Sequence, residues 1–297
     1  MTRLSPVALF IVLSLATGSS STLYAQKIYW SNACFSPTGE TGIFRANLDG
    51  SSIEKLAATV DAQGIALDLD TNRIYWTDNN VVTRANLDGS GAEALVTTPF
   101  VSLQGTAIDP GTQKIYWTDD NDGALQRANL DGSGVEDVFP IGAYHPAAVA
   151  FDLQERNMYF SSFCSIYRAP IDLPDPQPVP IYTRIACGGF LGFGAIAFAQ
   201  DSRRLFWTEF PNNFGDIPPG RVRFSTPTGR LPRTITTFDN GFSNGVAVDE
   251  DRSKVYWTGP SGIQRANLNG SGIEDVLTPA DGLSCPAAIA VDPRPGS

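Results

Sequence analysis

Short apolar runs alternate with turn-forming clusters along the chain, and one of these runs returns six times. It reads Lys27-Ile28-Tyr29-Trp30-Ser31-Asn32, Arg73-Ile74-Tyr75-Trp76-Thr77-Asp78, Lys114-Ile115-Tyr116-Trp117-Thr118-Asp119, Asn157-Met158-Tyr159-Phe160-Ser161-Ser162, Arg204-Leu205-Phe206-Trp207-Thr208-Glu209 and Lys254-Val255-Tyr256-Trp257-Thr258-Gly259. The second aromatic residue stands at 30, 76, 117, 160, 207 and 257, so the period lies between 41 and 50 residues. Each run is short and rich in aliphatic and aromatic residues, which reads as a strand. A second apolar run of the form Gly-Ile-Ala-Leu-Asp occurs at 64–68, 105–109, 148–152, 195–199, 245–249 and 288–292, always with Ala at its centre. A methyl group suits strands crowded around a common axis. A third strand ends in a tight turn, Arg84-Ala85-Asn86-Leu87-Asp88-Gly89, with close copies at 45–50, 127–132 and 265–270. Asp-Gly or Asn-Gly between strands marks a hairpin, because the turn needs positive φ. A more polar fourth strand follows, as at 135–139 or 273–277, and its charges discourage edge-to-edge pairing.

Several strands per unit and this period predict an all-β fold, a six-bladed β-propeller of four-stranded antiparallel blades. The first aromatic run lacks a preceding Gly-Ile-Ala-Leu-Asp run, and the copy at 288–292 lacks a following aromatic run. The C-terminal strand is therefore expected to complete the first blade and close the ring. Residues 26–297 form the propeller in this reading. Residues 1–25 have the layout of a secretory signal peptide: Arg3, an apolar run at 7–16, then a small polar stretch ending at Ala25. Export to a periplasm or the extracellular space is expected, with no membrane span in the remaining chain.

These repeats resemble the YWTD propeller of the low-density-lipoprotein-receptor family across essentially all of 26–297. The resemblance implies six blades, the motif in each second strand, and a role in binding proteins. The fourth copy departs as Tyr-Phe-Ser-Ser, and the fifth unit carries Thr226-Pro227-Thr228-Gly229 in place of the Leu-Asp-Gly turn.

Composition narrows the chemistry. The formal net charge of −10 argues against nucleic acid and favours a protein or peptide partner with basic groups. A monomer is expected. Residues present in nearly every unit are read as structural: the motif aromatics as core, and the third-strand arginines (45, 84, 127, 168, 223 and 265) and the aspartates closing the innermost strand (68, 109, 152, 249 and 292) as inter-blade ion pairs or hydrogen bonds. The single histidine, His145, excludes a metal site with two or three His ligands. No nucleophile elbow, phosphate loop or dinucleotide fingerprint is present, so no catalytic residue is assigned. No cofactor is expected. Calcium alone is suggested by Asp119-Asp120-Asn121-Asp122-Gly123, which lacks the full loop spacing and terminal Glu of a calcium loop.

A site must come from residues that break the repeat. The loops on one face carry Phe100, Tyr144, His145, Phe163, Phe190, Phe214 and Phe242, with Asp119, Asp120 and Glu209 beside them. Gln63, Gln104 and Asn244 precede innermost strands and are expected at the channel mouth. Exposed aromatics in a charged rim compose a contact patch. The alternative on the same face is a carbohydrate-binding or calcium-dependent, lactonase-like hydrolytic propeller. Four cysteines complete the picture: Cys34 and Cys285 are expected to clasp the ring, and Cys164 and Cys187 to pin the loop entering the fifth blade.

Overall fold

The computed structural model describes residues 26–33, 40–99, 102–121, 123–139, 145–162, 164–174, 176–183, 192–210, 220–238, 244–283 and 285–294. Among them, twenty-four strands form six four-stranded antiparallel sheets. From the axis outward, the second blade runs Ala62–Asp68, Arg73–Asp78, Val81–Asn86 and Glu93–Thr97. The third, fourth, fifth and sixth blades begin with innermost strands Leu103–Asp109, Pro146–Asp152, Phe193–Ala199 and Val246–Asp249. Both ends of the chain build the first blade. Its innermost strand is Pro286–Asp292, paired with Lys27–Asn32 through Ile28 with Val291, Tyr29 with Ala290 and Trp30 with Ile289. The ring closes as the strand count requires.

The tandem aromatics have a geometric reason. Adjacent residues of a strand point to opposite faces, and each blade is buried on both faces by its neighbours. The first aromatic of each motif therefore faces the following blade and the second faces the preceding one. Tyr29 shares a core cluster with Trp76, Tyr75 with Trp117, Tyr116 with Phe160, Tyr159 with Trp207, Phe206 with Trp257, and Tyr256 with Trp30. Six such clusters, one per blade junction, make up the core. A ring of this size buries roughly 150–250 Å², worth about 4–6 kcal/mol as an upper figure.

The residue after the two aromatics is always Ser or Thr, and all six hydroxyls are fully buried. The amide of Gly64 donates to Thr77 Oγ1 at 2.9 Å, and Thr77 Oγ1 donates to the carbonyl of Gln104 in the third blade. Gly245 N–H likewise donates to Thr258 Oγ1 at 2.9 Å, which donates to Ala287 O in the first blade at 2.7 Å. Ser161 links Ala148 to Gly194, and Thr118 reaches Ala147. Ser31 and Thr208 accept from Ala288 and Ala195. A hydroxyl both donates and accepts, so one side chain joins two innermost strands that share no ladder. The strands approach closely there: a Cβ on Gly64 would lie 2.5 Å from Gln104 O.

The repeated charges are structural but do not pair with one another. Arg45, Arg84 and Arg265 each bind a glutamate of their own outer strand (Glu54, Glu93 and Glu274). Each also donates across the junction to a carbonyl of the following blade, at Leu87, Leu130 and Leu48 respectively. The aspartates lie at the other end of the innermost strands. Asp109 and Asp152 receive bidentate bonds from Arg156 and Arg203 of the next blade. In the fifth unit Gly229, at φ +72°, bonds back to Thr226 O, reproducing the turn without an aspartate.

Replacing Thr258 with Val keeps the shape but leaves Gly245 N–H and Ala287 O buried without their bridge. A loss of about 1–3 kcal/mol is expected, read as a fall of several degrees in thermal midpoint by circular dichroism, with Thr258→Ser largely restored.

Candidate functional site

Around the axis, the N-terminal ends of the innermost strands enclose a cavity of about 320 Å³. The same register position of successive strands contributes Gln63, Gln104, Ala147, Gly194 and Asn244 to its wall. At that position amides thus come from the second, third and sixth blades, and the fourth and fifth carry only Ala and Gly. Asp120 and His145 enter from loops, and Phe193 and Phe210 line the fifth-blade side. The backbone of this wall is set by the hydroxyl bridges, whose acceptors include Gln104, Ala147 and Gly194.

Local partners orient the polar groups. Gln63 Nε2 donates to Asp61 Oδ1 at 2.5 Å. A carboxylate only accepts, so this bond assigns the amide and leaves Oε1 as its other end. Gln104 Nε2 lies 3.5 Å from Ser102 Oγ. His145 Nδ1 sits 2.8 Å from the backbone oxygen of Asp120 and 3.8 Å from its Oδ1. The carbonyl can only accept, so Nδ1 carries the proton. His145 adopts φ +46° immediately before Pro146, a left-handed conformation that costs on the order of 1 kcal/mol for a non-glycine residue. The Asp120 side chain is 50% exposed. Partial burial raises its pKa above the ordinary aspartate value, and His145 opposes that rise.

Gln63, Gln104, Asn244, Asp120 and His145 all line this cavity. Asp119 and Glu209 are not part of an exposed rim: each is only 1% exposed. Both end the second strand of a blade and are closed over by neighbouring side chains, whereas Asp78 at the equivalent position is only half-buried. Asp119 accepts the amide of Asn121, and Glu209 accepts from Trp207 Nε1 and Arg223 Nη1. Phe193 and Phe210, where the first two strands of the fifth blade meet the cavity, are buried, Phe193 edge-on to Tyr182. Phe100, Tyr144, Phe163, Phe190, Phe214 and Phe242 lie outside the described residues, as does Asp122 of the calcium-like stretch. Among the described residues no three His, Cys, Asp or Glu side chains gather as metal ligands, and no helix is long and apolar enough to cross a membrane. Cys164 and Cys285 carry no free thiol, while Cys34 and Cys187 lie outside the described residues. Sequence reasoning missed Ala147 and Gly194, although counting back from the central alanine would have found them.

Asp120 offers a pH test. Its folded pKa is raised, so the folded state holds its proton more tightly and stability falls as pH rises from the ordinary aspartate pKa through the folded value. Asp120→Asn is expected to raise the thermal midpoint at pH 7 and leave it unchanged at pH 3, measured by melts across that range.

No family model matches the chain. An alignment of 157 positions, at 31% identity, covers 49% of the chain and 23% of protein cueball of Drosophila erecta. The chain thus spans about a quarter of the length of the curated relatives it matches. The solved structure of a nidogen/laminin complex contains a chain that superimposes with a TM-score of 0.73 over 90% of this chain and 98% of its own length, at 18% identity. A gluconolactonase of Xanthomonas campestris aligns with a TM-score of 0.57 over 82% of this chain and 86% of its own, at 16% identity. These two likenesses are of fold. With the repeat's aromatic pair and hydroxyl at every blade junction, and the last strand completing the first blade, the chain is a six-bladed β-propeller of the YWTD-repeat type.

Proposed function

We propose that this propeller is an exported binding module that recognises a protein or peptide at the mouth of its axial channel. The observation that carries the reading is the asymmetry of the cavity. Gln63, Gln104, Asn244, Asp120 and His145 break the repeat and converge on one opening. A partly desolvated carboxylate and a left-handed histidine both cost stability, the usual mark of residues kept for recognition. The similar nidogen propeller occurs in a complex with laminin, another protein. A carbohydrate-binding or calcium-dependent, lactonase-like activity in the same cavity is the second reading, favoured by the pairing of His145 with Asp120.

Export belongs to the same proposal. Residues 1–25 act as a cleaved leader, and Cys34–Cys285 and Cys164–Cys187 form disulfides. The amide of Ala33 donates to Cys285 O at 3.3 Å, which brings the chain next to Cys34 to the closing strand. A clasp closing a loop of about 250 residues adds up to ~5 kcal/mol in chain-entropy terms. Peptide mapping of the exported protein without reduction should recover these two linked pairs. A Cys34–Cys164 link or free thiols would refute the pairing.

Ala147 stands in the cavity wall with its side chain outside the hydroxyl bridges, so Ala147→Trp fills the opening. The variant should keep its melting profile and lose capture of exported partner proteins in a pull-down with residues 26–297. Retained capture would move the binding surface elsewhere, and lactone hydrolysis abolished by Asp120→Asn would favour the second reading.

A further inference from the structure

We infer that the channel mouth receives one cationic side chain of the partner, an arginine or lysine whose head meets the oxygens of Gln63, Gln104 and Asp120. The inference rests on the protein-binding reading and specifies what that surface selects.

Hydrogen-bond bookkeeping at the cavity leads to it. The Gln63 amide nitrogen is committed to the Asp61 carboxylate, which turns Oε1 outward as an acceptor. Gln104 on the adjacent blade has its amide 3.5 Å from the Ser102 hydroxyl, a partner that either end of the amide can use, so its oxygen can turn to a donor-bearing guest. The Nδ1 proton of His145 faces the carbonyl of Asp120 and is occupied there. The Asp120 carboxylate completes a group of acceptors on the second- and third-blade side, and among the described residues no Lys or Arg lines the cavity. A guest must therefore bring donors. An anion would meet Asp120 without a compensating cation, and a plain apolar group would leave the amide oxygens desolvated and unpaired.

The opposite wall sets the rest of the guest. Gly194, Ala195, Ile196 and Phe210 of the fifth blade, with Ala147 of the fourth, give the cavity an apolar stretch of wall, and Asn244 of the sixth blade can turn its amide oxygen to a guest. An apolar stem with a donor-bearing head fits both walls, and Lys and Arg are the side chains with that construction. Guanidinium suits the opening best, since its five donors lie in one plane and can address separate oxygens at once. Partial burial of Asp120 strengthens such a pair over one fully in water, and the chain's net charge of −10 steers basic partners towards the protein.

The test is a displayed peptide library panned on residues 26–297 and counter-selected on Ala147→Trp. Selected peptides should share Arg or Lys at one position. Replacing that residue with citrulline, which keeps the shape without the charge, should weaken binding roughly 10- to 100-fold by calorimetry. Asp120→Asn should cause a similar loss for the arginine peptide and little further loss for the citrulline peptide, the coupling expected of a direct pair. Agmatine, the free guanidinium probe, should compete only at millimolar concentration. Peptides that need an open mouth yet carry no cation, or bind equally with citrulline, overturn the cation assignment and leave the binding reading standing. Micromolar agmatine binding would overturn assignment to a partner's side chain in favour of a free amine. A library yielding no mouth-dependent peptide overturns both.

Discussion

The buried hydroxyl that follows each aromatic pair is the interaction on which the ring depends. Neighbouring innermost strands crowd together but share no ladder, so backbone groups there face a dry junction without sheet partners. Leaving such a group unpaired costs on the order of 1–3 kcal/mol, and the junction recurs six times. In five junctions a Ser or Thr oxygen accepts from its own blade's innermost strand, and in four, that of Thr118 among them, its bond to the next blade's carbonyl is seen directly. Alanine would satisfy the volume and neither bond. Glycine at 64 and 245 permits the close approach that makes these bridges short.

The aromatic pair works at the next radius. Because side chains alternate across a strand, Tyr and Trp next to each other are divided between two junctions, and one motif serves both neighbours of its blade. Arg45, Arg84 and Arg265 extend the same logic to the outer strands, each tying a glutamate of its own blade to a carbonyl of the next. The aspartates do so at the opposite end of the innermost strands, where Arg156 and Arg203 reach across to Asp109 and Asp152. Cohesion is thus repeated at every radius, and no single blade can bury its faces alone.

Function uses the places where this symmetry lapses. The bridges hold the carbonyl of one register position while its side chain remains optional for the fold. That position carries Gln, Gln, Ala, Gly, Asn and Ala in the second through sixth and the first blade. A uniform scaffold therefore displays a lopsided wall, oxygens on one side and apolar surface on the other. Asp120 and His145 add a half-exposed carboxylate and a strained imidazole to the polar side. Their contact with each other spans the junction of the third and fourth blades, and both also line the cavity.

The sequence by itself determined the number of blades, the order of strands and the closure by residues 288–292. Those properties follow from period and alternation, which are local and repeated, so six copies reinforce one reading. Gln63, Gln104 and Asn244 precede innermost strands in the sequence, and all three line the axial cavity. Tertiary structure alone separated Asp120 from Asp119 and Glu209. All three are acidic and lie at or just beyond the end of a motif strand, yet two are enclosed by adjacent blades and one opens to the cavity. That difference is set by which neighbouring side chains close over a strand end, information no local pattern carries. The same holds for the arginines, whose partners lie one blade away, and for the hydroxyls, whose second bond goes to a strand some thirty residues further along or, at the closing junction, to the C-terminal strand.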